Sequence, residues 1–143
     1  MGAWDTGIFD DDTAYEFFDD IEDNAKAFFT RSFHRATADD YLEYDDGMAA
    51  LVFAAYLDNL LNSTTYDNDN AGETDLTNVN RFRELYSGPS LADLAANAIN
   101  AVAAVRSGNS ELRELWEENE ELYLQWQQNL IQLQDRLAKA AKG

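Results

Sequence analysis

Carboxylates are the side chains with which this sequence could do chemistry. Aspartate and glutamate supply 28 of 143 residues, against 10 lysines and arginines and one histidine, for a formal net charge of −18. Acid–base catalysis needs one specific pair of carboxyls held in different environments. Here pairs are so many that none is singled out. His34 is the only histidine, so no two-histidine metal site can form. It stands in Arg31-Ser32-Phe33-His34-Arg35, a locally basic stretch that reads as exposed. Ser32 or Ser63 could complete a Ser-His-Asp arrangement only on paper, because no motif supports one. The absence of cysteine excludes disulfides and thiolate metal sites.

One stretch has cation-binding spacing. Asp67-Asn68-Asp69-Asn70-Ala71-Gly72-Glu73-Thr74-Asp75 sets oxygen ligands at the first, third and ninth places of an EF-hand-like loop, with glycine sixth. Ala71 cannot ligate, and Asn78 stands where a bidentate glutamate is required. The 67–78 loop is therefore expected to bind a divalent cation weakly at most. No resident metal, no cofactor and no enzyme activity are expected.

Binding is the chemistry the carboxylates suit. Residues 1–46 hold 14 acids and 3 bases, residues 47–110 hold 7 and 3, and residues 111–143 hold 7 and 4. Such a field repels nucleic acid and anionic membranes and draws in cationic partners. The expected partner is a basic protein, with no direct nucleic-acid binding and no membrane. The residues expected to meet it are Asp10, Asp12, Glu43, Asp45 and Asp46, with Glu117, Glu118, Glu120 and Glu121 beside the aromatic anchors Trp116, Tyr123 and Trp126. A competing explanation is solubility or adaptation to salt, since aspartate outnumbers glutamate and only three lysines occur.

The elements that must position these residues read as helices. No apolar run approaches the ~18 residues of a membrane span, and no basic-then-apolar leader opens the chain. Met1, Gly2 and Thr6 match only the loose myristoylation pattern. Asp10 or Asp11 can cap a helix in which Ala14, Phe17, Phe18, Ile21 and Ala25 recur at helical spacing, with Phe28, Phe29 and Phe33 extending the stripe. Residues 34–46 read as a polar, acidic loop. Gly47 to Leu61 is apolar nearly all round, the signature of a central buried helix. Residues 62–80 read as a long exposed Asn/Asp-rich loop, Arg81 to Tyr86 as a short helix, and Ser87-Gly88-Pro89 as a turn. Ser90 and Asp93 form a capping-box-like pair before an alanine-rich helix reaching about Arg106, which Gly108 is suited to end in the left-handed region.

The last stretch carries a heptad seam: Leu112, Trp116, Asn119, Tyr123, Trp126, Leu130, Leu133, Leu137 and Ala140. Leu115, Leu122, Leu124 and Ile131 widen it. One helix of ~30 residues would be ~45 Å long, longer than a compact domain of this size is wide. It packs on its own domain or meets a second copy. The fold class expected is a single all-α domain, an irregular bundle of four to five helices with a long C-terminal helix.

Three blocks carry a family likeness. The opening Met1-Gly2-Ala3-Trp4, with Phe9-Asp10-Asp11-Asp12, resembles an uncharacterised bacterial domain-of-unknown-function family of small proteins that open Met-Gly-Ala-Trp-Gly and continue Phe-Asp-Asn-Asp. Tyr41-Leu42-Glu43-Tyr44-Asp45-Asp46-Gly47 and Ser110-Glu111-Leu112-Arg113-Glu114-Leu115-Trp116-Glu117 resemble its central and C-terminal patterns. Asp5 stands where the family has glycine. The resemblance implies a small helical bacterial protein and no established chemistry. Trp4, Phe9, Gly47 and Trp116 are its structural signature, with Trp4 expected against Trp116 at one end of the bundle, and with Asp10, Asp12 and Asp45 as helix caps.

The function these readings favour is that of a cytoplasmic, non-catalytic acidic protein inhibiting a basic partner, as an immunity protein or a defence or anti-defence factor that mimics phosphate. The alternative is a structural module that forms a homodimer through the C-terminal helix.

Overall fold

A computed structural model describes residues 18–38, 41–64, 82–86 and 90–142. Trp4, Phe9, Asp10, Asp12, the cap at Asp10 or Asp11, the 67–78 loop and the 87–89 turn lie outside the described residues. Six α-helices are described: α1 (Phe18–Ala38), α2 (Tyr44–Asn62), α3 (Phe82–Leu85), α4 (Ala95–Val105), α5 (Glu111–Glu117) and α6 (Glu120–Lys142). The fold is all-α. Among the described residues the one trace of β structure is a single parallel bridge between Leu42 and Ser110. No described helix is long and apolar enough to cross a membrane.

Helix α2 is the axis around which the others pack. Every residue from Gly47 to Asn59 is buried, which its all-round apolar character requires. Phe29 of α1 stacks on Phe53 of α2 with ring centroids 4.7 Å apart, and Phe82 of α3 meets Tyr56 edge-on at 5.1 Å. Aromatic pairs of this geometry contribute about 0.5–1.5 kcal/mol each beyond their buried area. They fasten α1 and the one-turn α3 to the axis.

Helix directions follow from cross-links. Lys26 of α1 pairs with Asp93, just before α4, at 3.7 Å, and α1 and α4 then line one cleft along their length, so they run the same way. Arg106, at the end of α4, donates to Gln127 and Gln134 of α6, both at 2.7 Å, while Gln134 donates back to Ile99 O at 3.1 Å. That order makes α4 and α6 antiparallel. Arg136, late in α6, donates to Asp58, late in α2, at 2.8 Å, so α2 and α6 run together. The result is two helices up and two down, with α2 and α6 starting at the same end.

Several expectations need correction. The 34–46 loop shrinks to the link between Ala38 and Tyr44. Helix α1 continues because Phe29, Phe33 and Ala36 keep one face in the core; Thr30 and Thr37 are accommodated by turning their hydroxyls onto carbonyls of their own helix. The C-terminal stretch is two helices, not one. Asn119 is exposed and accepts a hydrogen bond from Leu122 N through its side chain at 3.2 Å, capping a fresh start for α6. The rest of the seam faces inward: Leu112, Trp116, Trp126, Leu130, Leu133 and Leu137 are buried within the chain. Leu124, on the outer face, is 69% exposed.

Helix α4 closes without a left-handed glycine. No described glycine has positive φ, and Arg106, Ser107 and the Ser107 hydroxyl satisfy the last carbonyls. Ser90 caps, at 3.4 Å to Ala92 N, but it caps a 3-10 turn (Ala92–Leu94) that precedes α4. Asp93 does not complete the box with a bond to Ser90; it holds Lys26 instead.

Candidate functional site

The central and C-terminal sequence blocks meet at the start of α2. Leu42 N donates to Asn109 O at 2.8 Å, and Glu111 N donates to Leu42 O at 2.9 Å, making a two-bond backbone clamp. Glu43 takes the N-cap position of α2 with extended backbone, yet its side chain makes no cap bond. Asp45 is not the cap either, because it already lies in the first helical turn. The cap comes from across the chain: Tyr44 N donates to Glu111 Oε1 at 3.0 Å. Ser110 is fully buried and accepts from Arg113 N, so α5 is capped by its own chain.

Gly47 explains how the helices approach so closely. A Cβ built on it would meet Leu112 Cδ1 at 3.0 Å. Helix α5 therefore lies directly on the first turn of α2. Its other end packs on α6: Trp116 stacks on Trp126 at 6.1 Å with rings 17° from coplanar, and the Arg113 guanidinium lies over Tyr123 at 6.0 Å. Trp116 thus closes this end of the bundle with Trp126 as its partner; Trp4, its expected partner, lies outside the described residues.

The first turns of α2, α5 and α6 consequently share one pole of the molecule. Each opens with acids: Asp45 and Asp46, Glu111 and Glu114, Glu120 and Glu121. Acids in first turns are stabilised by the helix dipole at about 0.3–1 kcal/mol each. Some of the pole's carboxylates are tied down. Glu111 caps α2, Glu114 accepts from the Tyr41 hydroxyl at 2.9 Å, and Glu117 holds Arg113 at 2.6 Å. Glu43, Asp45, Asp46, Glu118, Glu120 and Glu121 have no hydrogen-bonded or ionic side-chain partner among the described residues. Asp46 is half-buried and the other five are exposed.

Tyr41 reports the local potential. Its hydroxyl is held above the ordinary tyrosine pKa, first by the hydrogen bond to Glu114, then by loss of solvent and by the charges of Glu114, Glu111 and Glu43. Three carboxylates from two sequence blocks therefore act on one phenol. Among the described residues no group of three or more His, Cys, Asp or Glu side chains is arranged to hold a metal ion.

Sequence reasoning missed Tyr41, Glu111 and Glu114 as members of this pole. By charge alone, Glu111 and Glu114 suit a helix start. That one would cap a helix 67 residues away was not legible.

The fold and the pole define a class: an all-α domain built on one buried helix, with acids leading three helix starts at one end. The chain belongs to DUF4259, a domain family of unknown function, which matches it over residues 2–129. No curated protein and no solved structure matches the chain.

Proposed function

We propose that this protein is a non-catalytic acidic inhibitor that applies its carboxylate pole to the basic surface of a partner protein. The observation that carries the reading is a set of six carboxylates left unspent within the described structure: Glu43, Asp45, Asp46, Glu120 and Glu121 at helix starts, and Glu118 at the end of α5. A rigid frame holds them, because the backbone clamp and the Trp116–Trp126 stack fix the starts of α2, α5 and α6. Preorganised charge of this kind steers encounter with a cationic surface and raises the association rate. It would occupy the site on that surface meant for phosphate. A basic nuclease-type toxin, with this chain as its immunity protein, or a nucleic-acid-binding defence factor fits such chemistry. Asp10 and Asp12, outside the described residues, belong to this reading by sequence alone. The reading also takes the protein to be bacterial and cytoplasmic, from the resemblance of its opening and its cysteine-free composition.

The test is titration against a panel of basic nucleases at low and high salt. Binding to at least one member, falling steeply with ionic strength, and weakened by Asp45→Lys and Glu120→Lys, supports the proposal. Affinity indifferent to salt, or to both charge reversals, overturns it. Sedimentation of the free protein addresses the homodimer alternative, which must use the outer face of α6 near Leu124, since the seam leucines are buried within the chain.

A further inference from the structure

Among the described residues, the large hydrophobic side chains left exposed are Tyr41, at 43%, and Leu124, at 69%. Leu124 stands among polar side chains on α6, and a lone exposed leucine needs no explanation. Tyr41 is different, because the pole holds its ring still. Leu42 is the bridge residue and is buried. Tyr41 and Glu43, one on each side of it, therefore emerge together on the opposite, exposed side of the chain. The Tyr41 hydroxyl donates to Glu114 Oε2 at 2.9 Å, which fixes the far end of the ring and leaves Glu114 Oε1 without a partner among the described residues. No other ring and no cationic side chain of the described residues lies against Tyr41.

The same parts are assembled with an arginine a few residues away. Arg113 lays its guanidinium over the Tyr123 ring at 6.0 Å while its Nε donates to Glu117 Oε1 at 2.6 Å. A guanidinium is planar and weakly hydrated, so it rests on a ring face and hydrogen-bonds a carboxylate at its edge at the same time. A lysine ammonium is compact and strongly hydrated, and it lacks the flat face that stacks. At Tyr41 a fixed ring stands beside Glu43 and Glu114, and no arginine among the described residues reaches it. Arg113, next to Glu114 in sequence, is committed elsewhere: Glu117 holds its Nε, and its Nη1 donates to Arg106 O at 3.0 Å.

We propose that Tyr41, with Glu43 and Glu114 beside it, binds an arginine side chain of a basic protein, the guanidinium lying on the ring and donating to the carboxylates. This rests on the reading of the pole as the surface that meets a basic partner, and adds a side chain that tells arginine from lysine. The other carboxylates of the pole attract either cation alike; Tyr41 makes the choice between them.

The experiment is a fluorescence-anisotropy titration of the whole protein at low salt with two labelled, end-blocked pentapeptides of equal charge, one alternating arginine with glycine and the other lysine with glycine. Tighter binding of the arginine peptide is expected, by about two- to fivefold, the size of an exposed cation–π contact. Tyr41→Ala should remove that preference and leave the lysine peptide's affinity unchanged, whereas Tyr41→Phe, which keeps the ring, should preserve most of it. Circular dichroism checks that both variants keep the fold. Equal affinity for the two peptides overturns the proposal, and so does a preference that survives Tyr41→Ala. If Asp45→Lys with Glu120→Lys then weakens both peptides alike, the pole stands as a docking surface and only the arginine site falls. Failure of both peptides to bind overturns the two together.

Discussion

The two ends of α2 solve the same problem with opposite chemistry. At its start, backbone bonds and a half-buried glutamate from another helix hold α5 against it, and most of the surrounding acids face outward. At its finish, the acid is inside. Asp58 is fully buried, with Oδ2 on Arg136 Nε at 2.8 Å and Oδ1 on Asn62 Nδ2 at 2.8 Å. Asn59 beside it accepts from Arg83 N and donates to Thr64 O, at 3.0 and 2.8 Å. Ser63, in the left-handed region at φ 60°, closes the helix by donating its N–H to Asn59 O. An aspartate near a helix C-terminus opposes the dipole, and Arg136 and Asn62 help to offset that cost. The lesson is that acidity does two jobs here. Internal acid fixes the fold, and only the outward acid at the other end is available for recognition.

The contrast is sharpest in Asp58→Ala, which leaves Arg136 half-exposed without its buried partner. Loss of about 2–4 kcal/mol of stability, read from urea unfolding, is expected, since two donors lose their acceptor at about 1–3 kcal/mol each while Arg136 stays partly solvated. Glu111→Ala, at the other end, should cost only the ~1 kcal/mol typical of a lost cap. Equal losses would break the distinction between the two ends.

Gly47→Val tests the approach of α5 from the other side. The new Cβ alone comes within 3.0 Å of Leu112 Cδ1, and the branch adds volume in a buried place. A loss of about 1–3 kcal/mol is expected from overpacking, with α5 displaced and the Trp116–Trp126 fluorescence changed.

The smallest effect is a titration. Because Tyr41 is held above the usual tyrosine value, its contribution to stability is complete below the unfolded pKa and is lost as pH rises through the folded one. Ultraviolet absorbance should show a late-ionising phenol signal, part of which Glu114→Gln should bring earlier. Tyr86 is also raised, by burial, so Tyr41→Phe assigns the signal.

How much of this was legible in the sequence depended on range. The buried axis at Gly47 to Leu61 announced itself, because an all-round apolar helix has only one place to go. The seam from Leu112 to Leu137 was legible as a face, but its break was not: Asn119 falls on the heptad and looked like a seam residue, whereas its side chain makes a cap. The Tyr41–Glu114 and Asp58–Arg136 contacts join residues 73 and 78 apart, and no local pattern encodes them. Asp58 itself read as one acid among 28.

The direction of α6 has a consequence in time. The most deeply buried helix comes early, while Leu130, Leu133, Leu137 and Arg136, which cover it and fasten its far end, are delivered much later, Arg136 standing 78 residues after Asp58. During synthesis α2 must wait, greasy and uncovered, for its final neighbour. Chains with such late-arriving partners are exposed to aggregation before they are to misfolding, so slow elongation or a stalled message should harm this protein more than mild heat does once it is complete.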